Sequence, residues 1–162
     1  MRVLIAVDGS DFSCEAIKRS CQMIGKKSDV SVKIISVYEN PYYITTEPVA
    51  FSAEFINEIL NFAKEQAERV VAEAVSIFKE NLREENIHLT TQVIGGKPAD
   101  EIIETAREWK ADLIVMGSHG RGFWGRAIIG SVSDAVVHQA ECPVMVIHKS
   151  ETAEVKSTAG AN

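Results

Sequence analysis

The chain has 162 residues, 46% of them hydrophobic and 25% charged, with a formal net charge of -6 and a pI near 5.3. That length suits one domain with a sizeable core, and the acidic balance argues against nucleic-acid binding, which needs a basic face. No run of about 18 apolar residues occurs, so no membrane span is expected.

The opening Met1-Arg-Val-Leu-Ile-Ala-Val-Asp8 carries one basic residue and a short apolar run, with no small-residue cleavage site after it. It reads as a first strand over Arg2 to Val7 rather than a signal peptide. Ser10 is placed to cap the next helix, with Asp11 in its first turn and Gly25 as the stop. Val30 to Val37, rich in β-branched residues, reads as a second strand. A loop punctuated by Pro41 and Pro48 follows. From Ser52 to Arg83 the period is helical, with Phe55, Ile59, Phe62, Gln66, Val70, Ala74, Ile77 and Leu82 near one face.

His88 to Ile94 is the third predicted strand. Pro98 suits the first turn of a helix running to Trp109. Leu113 to Met116 is wholly apolar and reads as a central strand. After a glycine-rich loop, Val132 to Gln139 is the last helix and Pro143 to Ile147 the fifth strand. Residues 1–149 are thus expected to form one domain, and 150–162, small and polar, a mobile tail.

Strands alternating with helices imply an α/β fold: a five-stranded, parallel, doubly wound sheet with right-handed crossovers. With strand order 3-2-1-4-5, the order reverses between strands one and four, and a ligand belongs at their carboxyl ends. Those ends are Asp8 and Gly117, so Asp8 and the glycine loop should line one crevice. In that crevice Asp8 is the sole acidic candidate.

The loop has glycines at 117, 120, 122, 125 and 130, and Ser131 opens the helix after it. Glycines let backbone amides approach an anion, and a helix start adds open N–H groups and the positive end of a dipole. Ser131 and Asp134 also fit a Ser-x-x-Asp capping arrangement. A Walker-type loop is absent, since Gly96-Lys97 runs into Pro98 with no glycine at the required earlier position. Gly120-Arg-Gly-Phe-Trp-Gly125 matches Gly-x-Gly-x-x-Gly but follows the fourth strand, whereas a dinucleotide fingerprint belongs on the first turn.

The wider frame, Gly117-x-x-Gly120, nine residues, then Gly130-Ser131, resembles the nucleotide-binding motif of the universal stress protein family in its ATP-binding branch. The resemblance extends to Val3-Leu-Ile-Ala-Val-Asp-Gly-Ser10, Gly96-Lys-Pro-Ala-Asp-Glu-Ile102, Asp112-Leu-Ile-Val-Met-Gly-Ser-His-Gly120 and Cys142-Pro-Val-Met-Val146. It implies a Rossmann-like, adenine nucleotide α-hydrolase-like fold, a domain that usually dimerises, and ATP as ligand with Mg²⁺ or Mn²⁺ held mainly by the phosphates. By the same resemblance Met116, Gly117, Ser118, His119, Gly120, Arg121 and Gly122 surround the ribose and phosphates, and Gly130, Ser131, Val132 and Ser133 meet the phosphate chain. Ala6, Val7 and Val37 meet the adenine, and Asp8 faces the ribose or the metal. Asp8 has a second reading, as a turn residue bonding the amides of Ser10 or Asp11.

Other residues stay open between two readings. His119, Arg121 and Arg126 face phosphate or are solvated; Phe123 and Trp124 fold back or meet a partner. Glu101, Glu104 and Glu108 form a solvated helix face, and His88, His138 and His148 make no ligand set. Cys14, Cys21 and Cys142 have no CxxC spacing; they read as small apolar residues of a protein in a reducing compartment, the cytoplasm. An apolar fifth strand at the sheet edge calls for a cover, and pairing of 143–148 with a second copy gives a homodimer. The function implied is an ATP-binding stress-response regulator, read by an unknown partner protein, with no catalytic residue assigned. The alternatives are a slow ATPase or phosphotransferase at the same site, or a flavin or NAD module.

Overall fold

The computed structural model describes residues 1–25, 29–39, 52–82, 87–120 and 129–148. The proline-punctuated loop, residues 121–128 of the glycine loop and the C-terminal tail lie outside them. The elements in chain order are β1 (Arg2–Ala6), α1 (Asp11–Ile24), β2 (Val30–Tyr38), α2 (Ala53–Asn81), β3 (Ile87–Gly95), α3 (Pro98–Glu108), β4 (Leu113–Gly117), α4 (Ser131–Gln139) and β5 (Val144–Ile147).

Local chemistry sets the helix ends. Ser10 and Ser52 cap α1 and α2, each accepting at 3.2 Å from the amide three residues on, Ser13 and Phe55. Such a cap contributes about 1 kcal/mol. Pro98 opens α3, where its missing N–H costs nothing.

The sheet runs β3-β2-β1-β4-β5, every pairing parallel. Val3 sits opposite Val32 on one side and Leu113 on the other. Alternation along β1 splits the core in two. Val3, Ile5 and Val7 pack with Ile17 and Ile24 of α1 and Val70 and Phe78 of α2. Leu4 and Ala6 pack with Ile102, Ile103 and Ala106 of α3 and Val136 of α4. Both faces are covered, so β1 and β4 are almost wholly apolar, and each large side chain buried there contributes about 1.5–3 kcal/mol.

The face expected for α2 needs correction. The buried positions are Ile56, Ala67, Val70, Val71, Ala74 and Phe78, whereas Phe55 is 44% and Phe62 63% exposed. The cause is length. A helix of 29 residues spans about 43 Å, while the nine-residue strands beneath it span about 30 Å. Its first turns run past the sheet, and only the 67–78 stretch lies fully on the core.

Candidate functional site

The switch point is built from two turns that lock together. At the end of β1 the chain turns through Gly9, whose φ of 78° favours glycine. Asp8 Oδ1 accepts from the Ser10 amide at 3.1 Å and from Ser10 Oγ at 2.7 Å. The turn role of Asp8 toward Ser10 is therefore present. Ser10 Oγ also lies 3.3 Å from the His119 carbonyl oxygen, which ties the first turn to the loop after β4.

At the end of β4 the glycines answer to packing inside the chain. A Cβ on Gly117 would stand 2.8 Å from the Phe12 carbonyl carbon and 3.0 Å from the Ser13 amide nitrogen; one on Gly120 would stand 2.9 Å from Asp8 Oδ2. The Ser118 amide donates to the Ile147 carbonyl at 2.8 Å, and the Ser118 carbonyl accepts from the Gly130 amide at 2.7 Å. Ser133 Oγ lies 3.0 Å from the same Ser118 oxygen. The start of α4 is thereby held against the end of β4, and the interval from Gly117 and Gly120 to Gly130 joins the two.

The cap of α4 differs from the sequence expectation. Gly130 is the cap residue and Ser131 the first helical residue, with no side-chain capping bond. Ser133, not Ser131, supplies the hydroxyl at this junction, and the Asp134 carboxylate lies 3.6 Å from His138 Nδ1. The first helical bond is Asp134 N–H to the Gly130 carbonyl, at 2.8 Å. The amides of Ser131, Val132 and Ser133 precede it and have no acceptor within their own helix.

These turns rim a cleft of about 650 Å³, within the usual range for a small-molecule site. Of the sequence candidates, Ala6, Val7, Asp8, Val37, Met116, Gly117, His119, Gly120, Gly130, Ser131, Val132 and Ser133 line it. Ser118 does not; it is fully buried behind the wall. Arg121, Gly122, Phe123, Trp124 and Arg126 lie outside the described residues. His119 is not a solvated loop residue: it is buried, with Nδ1 3.0 Å from Ser118 Oγ and its ring 5.2 Å from Phe12 and 6.4 Å from His148.

The cleft has a wall that sequence reasoning missed. Ala63, Gln66, Ala67 and Val70 of α2 line it, with Ser13, Ile35, Ser36, Tyr38 and Glu39, and Pro98 and Ile102 of α3. Glu39 corrects the expectation that Asp8 is the sole acid in the crevice. The one sequence signal for this wall is Gln66, a polar residue inside an otherwise apolar helical stripe. Among the described residues, no three His, Cys, Asp or Glu side chains group to hold a metal ion. The thiols are free and away from the cleft. Burial pushes Cys21 up to about 11 and raises Cys14 and Cys142.

A doubly wound sheet with a ligand-sized cleft at its switch point, floored by strand ends and rimmed by a helix N-terminus, defines a Rossmann-like α/β domain. The family model described as "Universal stress protein family" matches residues 1–148, and the chain belongs to that family. It is 37% identical over 148 residues to a universal stress protein of Methanocaldococcus jannaschii, covering 91% of this chain and 82% of the relative. A universal stress protein family structure from Arabidopsis thaliana with AMP bound aligns with a TM-score of 0.65 and 21% identity, over 93% of each chain. A universal stress protein in complex with cAMP aligns with a TM-score of 0.60 and 24% identity, over 91% of this chain and 96% of the other. These two likenesses establish the shared fold. No helix among the described residues is long and apolar enough to cross a membrane.

Proposed function

We propose that the chain is an ATP-binding member of its family, acting as a cytoplasmic stress-response regulator whose nucleotide state is read by a partner protein. One observation carries this reading: the open amides of Ser131, Val132 and Ser133 share a single cleft with the apolar strand ends Ala6, Val37 and Met116. Amides at a helix start suit a phosphate chain, and apolar strand ends suit the faces of a base. The triphosphate would lie on α4, the adenine against Ala6, Val7 and Val37, and the ribose by Asp8 and Gly120. His119 would complete the surround on the β4 side. That related folds hold AMP and cAMP supports an adenine nucleotide as the ligand class.

Two carboxylates, Asp8 and Glu39, line the cleft. They suit a Mg²⁺ or Mn²⁺ ion held mainly by the phosphates better than a metal caged by protein alone. Bound nucleotide would fix the glycine loop and so alter the surface that a partner or a second copy meets. The apolar edge strand β5 suits the homodimer contact.

The test is to release nucleotide from purified protein and identify it by mass spectrometry, then titrate ATP into the stripped protein. ATP or ADP, rebinding at micromolar concentration, is the expected result; a flavin or NAD overturns the reading. Slow ATP hydrolysis is the second reading, favoured by Glu39 as an additional carboxylate in the cleft, and phosphate release measured alongside separates it from binding alone.

A further inference from the structure

Phe62 is 63% and Phe55 44% exposed, on the part of α2 that runs past the sheet. Ile59, half-buried, stands between them. Scattered apolar residues are normal on a surface, but large ones aligned along one helix face are not. Phe55, Ile59, Phe62 and Gln66 follow one another at intervals of four, three and four, the d-a-d-a seam of a coiled coil. At 3.6 residues per turn the four lie within about 60° of one another. The two flanks of this seam differ. On the core side stand Ile56 and Ala67, both buried. On the solvent side stand Glu54, Glu58 and Glu65, all exposed, with Glu58 and Glu65 at the g positions that set partner choice. Over residues 53–66 the one cation is Lys64, which lies 3.9 Å from Glu68. Among the described residues no salt bridge takes up Glu54, Glu58 or Glu65.

We infer that this face of α2 docks a partner helix whose apolar seam is flanked by Lys or Arg. The aromatic rings supply the anchors, by burial, and the row of acids selects a basic flank. A second copy of this chain fits poorly. In an antiparallel pair its Glu58 and Glu65 would meet their own equivalents, and each chain carries a net charge of -6. The face also adjoins the cleft, because Ala63 and Gln66, beside Phe62 on the same helix, line it. The inference gives the partner of the reading above a surface and a chemistry. It rests on that reading only for the link to nucleotide.

The probe is a synthetic peptide of three heptads with Leu at a and d and Lys at e and g, followed by fluorescence anisotropy. The control peptide carries Glu at e and g. The unmodified chain should bind the Lys peptide at least about tenfold more tightly than the Glu peptide. Phe62→Ser should weaken the Lys peptide at least about tenfold, with an unchanged urea midpoint, because the ring is exposed. Glu58→Lys combined with Glu65→Lys should reverse the choice between peptides. Equal binding of the Lys peptide by the unmodified chain and Phe62→Ser overturns the docking face, since attraction to an acidic chain is then all that is measured. A lowered midpoint for Phe62→Ser shows the ring covered by this chain's own residues. Sedimentation in which Phe62→Ser turns a dimer into a monomer shows it covered by a second copy. Either result overturns the assignment. Saturating ATP should shift the Lys-peptide affinity at least about fivefold. Equal affinity with and without ATP overturns the link to nucleotide and leaves the docking face standing.

Discussion

One side of the cleft, the β4–α4 junction, is almost all backbone; the other, α2, is all side chain. At the junction Gly117, Gly120 and Gly130 bring main-chain atoms and a carboxylate within about 3 Å of where a Cβ would stand, and a carbonyl and an amide close the frame at 2.7 Å. Along α2 the wall is Ala63, Gln66, Ala67 and Val70, placed by the packing of a long helix on the sheet. The first surface offers amides, which suit any phosphate chain. The second offers an apolar shape with one polar side chain, Gln66.

Substitutions can break this comparison, starting with the largest effect. Phe78→Ala empties a site that is 3% exposed and should cost about 3–5 kcal/mol, whereas Phe62→Ala, at 63% exposure, should stay within about 0.5 kcal/mol. Urea unfolding of both variants tests which part of α2 is packed. Gly117→Ala sets a methyl against the Phe12 and Ser13 backbone, which cannot give way as a side-chain tip can. It should cost about 1–3 kcal/mol, seen as a lowered urea midpoint with the slope unchanged. Wild-type stability in this variant would mean the frame is looser than described.

Ser10→Ala removes the cap of α1 and the hydroxyl that binds Asp8. Loss of about 1 kcal/mol is expected, measured by the same unfolding curves. At neutral pH the smallest effect concerns Cys21. Its folded thiol, near 11, stands above the ordinary 9.0, so the unfolded chain ionises first. Stability is therefore full below pH 9 and should decline as pH rises from 9 toward 11. A Cys21→Ser variant should lose that share of the alkaline decline.

The junction was the more legible region, because backbone geometry leaves glycines in the sequence at fixed intervals. Asp8, followed by Gly9 and a capping Ser10, was legible for the same reason. The parallel, doubly wound class was legible in the alternation of strands and helices, which by itself leaves the strand order open. The wall on α2 was not legible: helical period gives a face but not how far a helix overruns its sheet, so Phe55 and Phe62 read as core. Ser36 was hidden in an apolar strand, and Glu39, one residue past β2, carried no motif. The capping pattern at Ser131 misled because Gly130 takes the extended cap conformation, with φ -79° and ψ 157°, and shifts the helix start by one residue.

The central claim, that the open amides of α4 hold a phosphate chain, is tested most directly by Ser131→Asp. A carboxylate in the first turn favours the helix dipole, so the fold should be kept, while it repels an anion placed there. Calorimetric titration should show ATP affinity reduced at least about tenfold with adenosine affinity unchanged. Undiminished ATP binding in this variant would contradict the account.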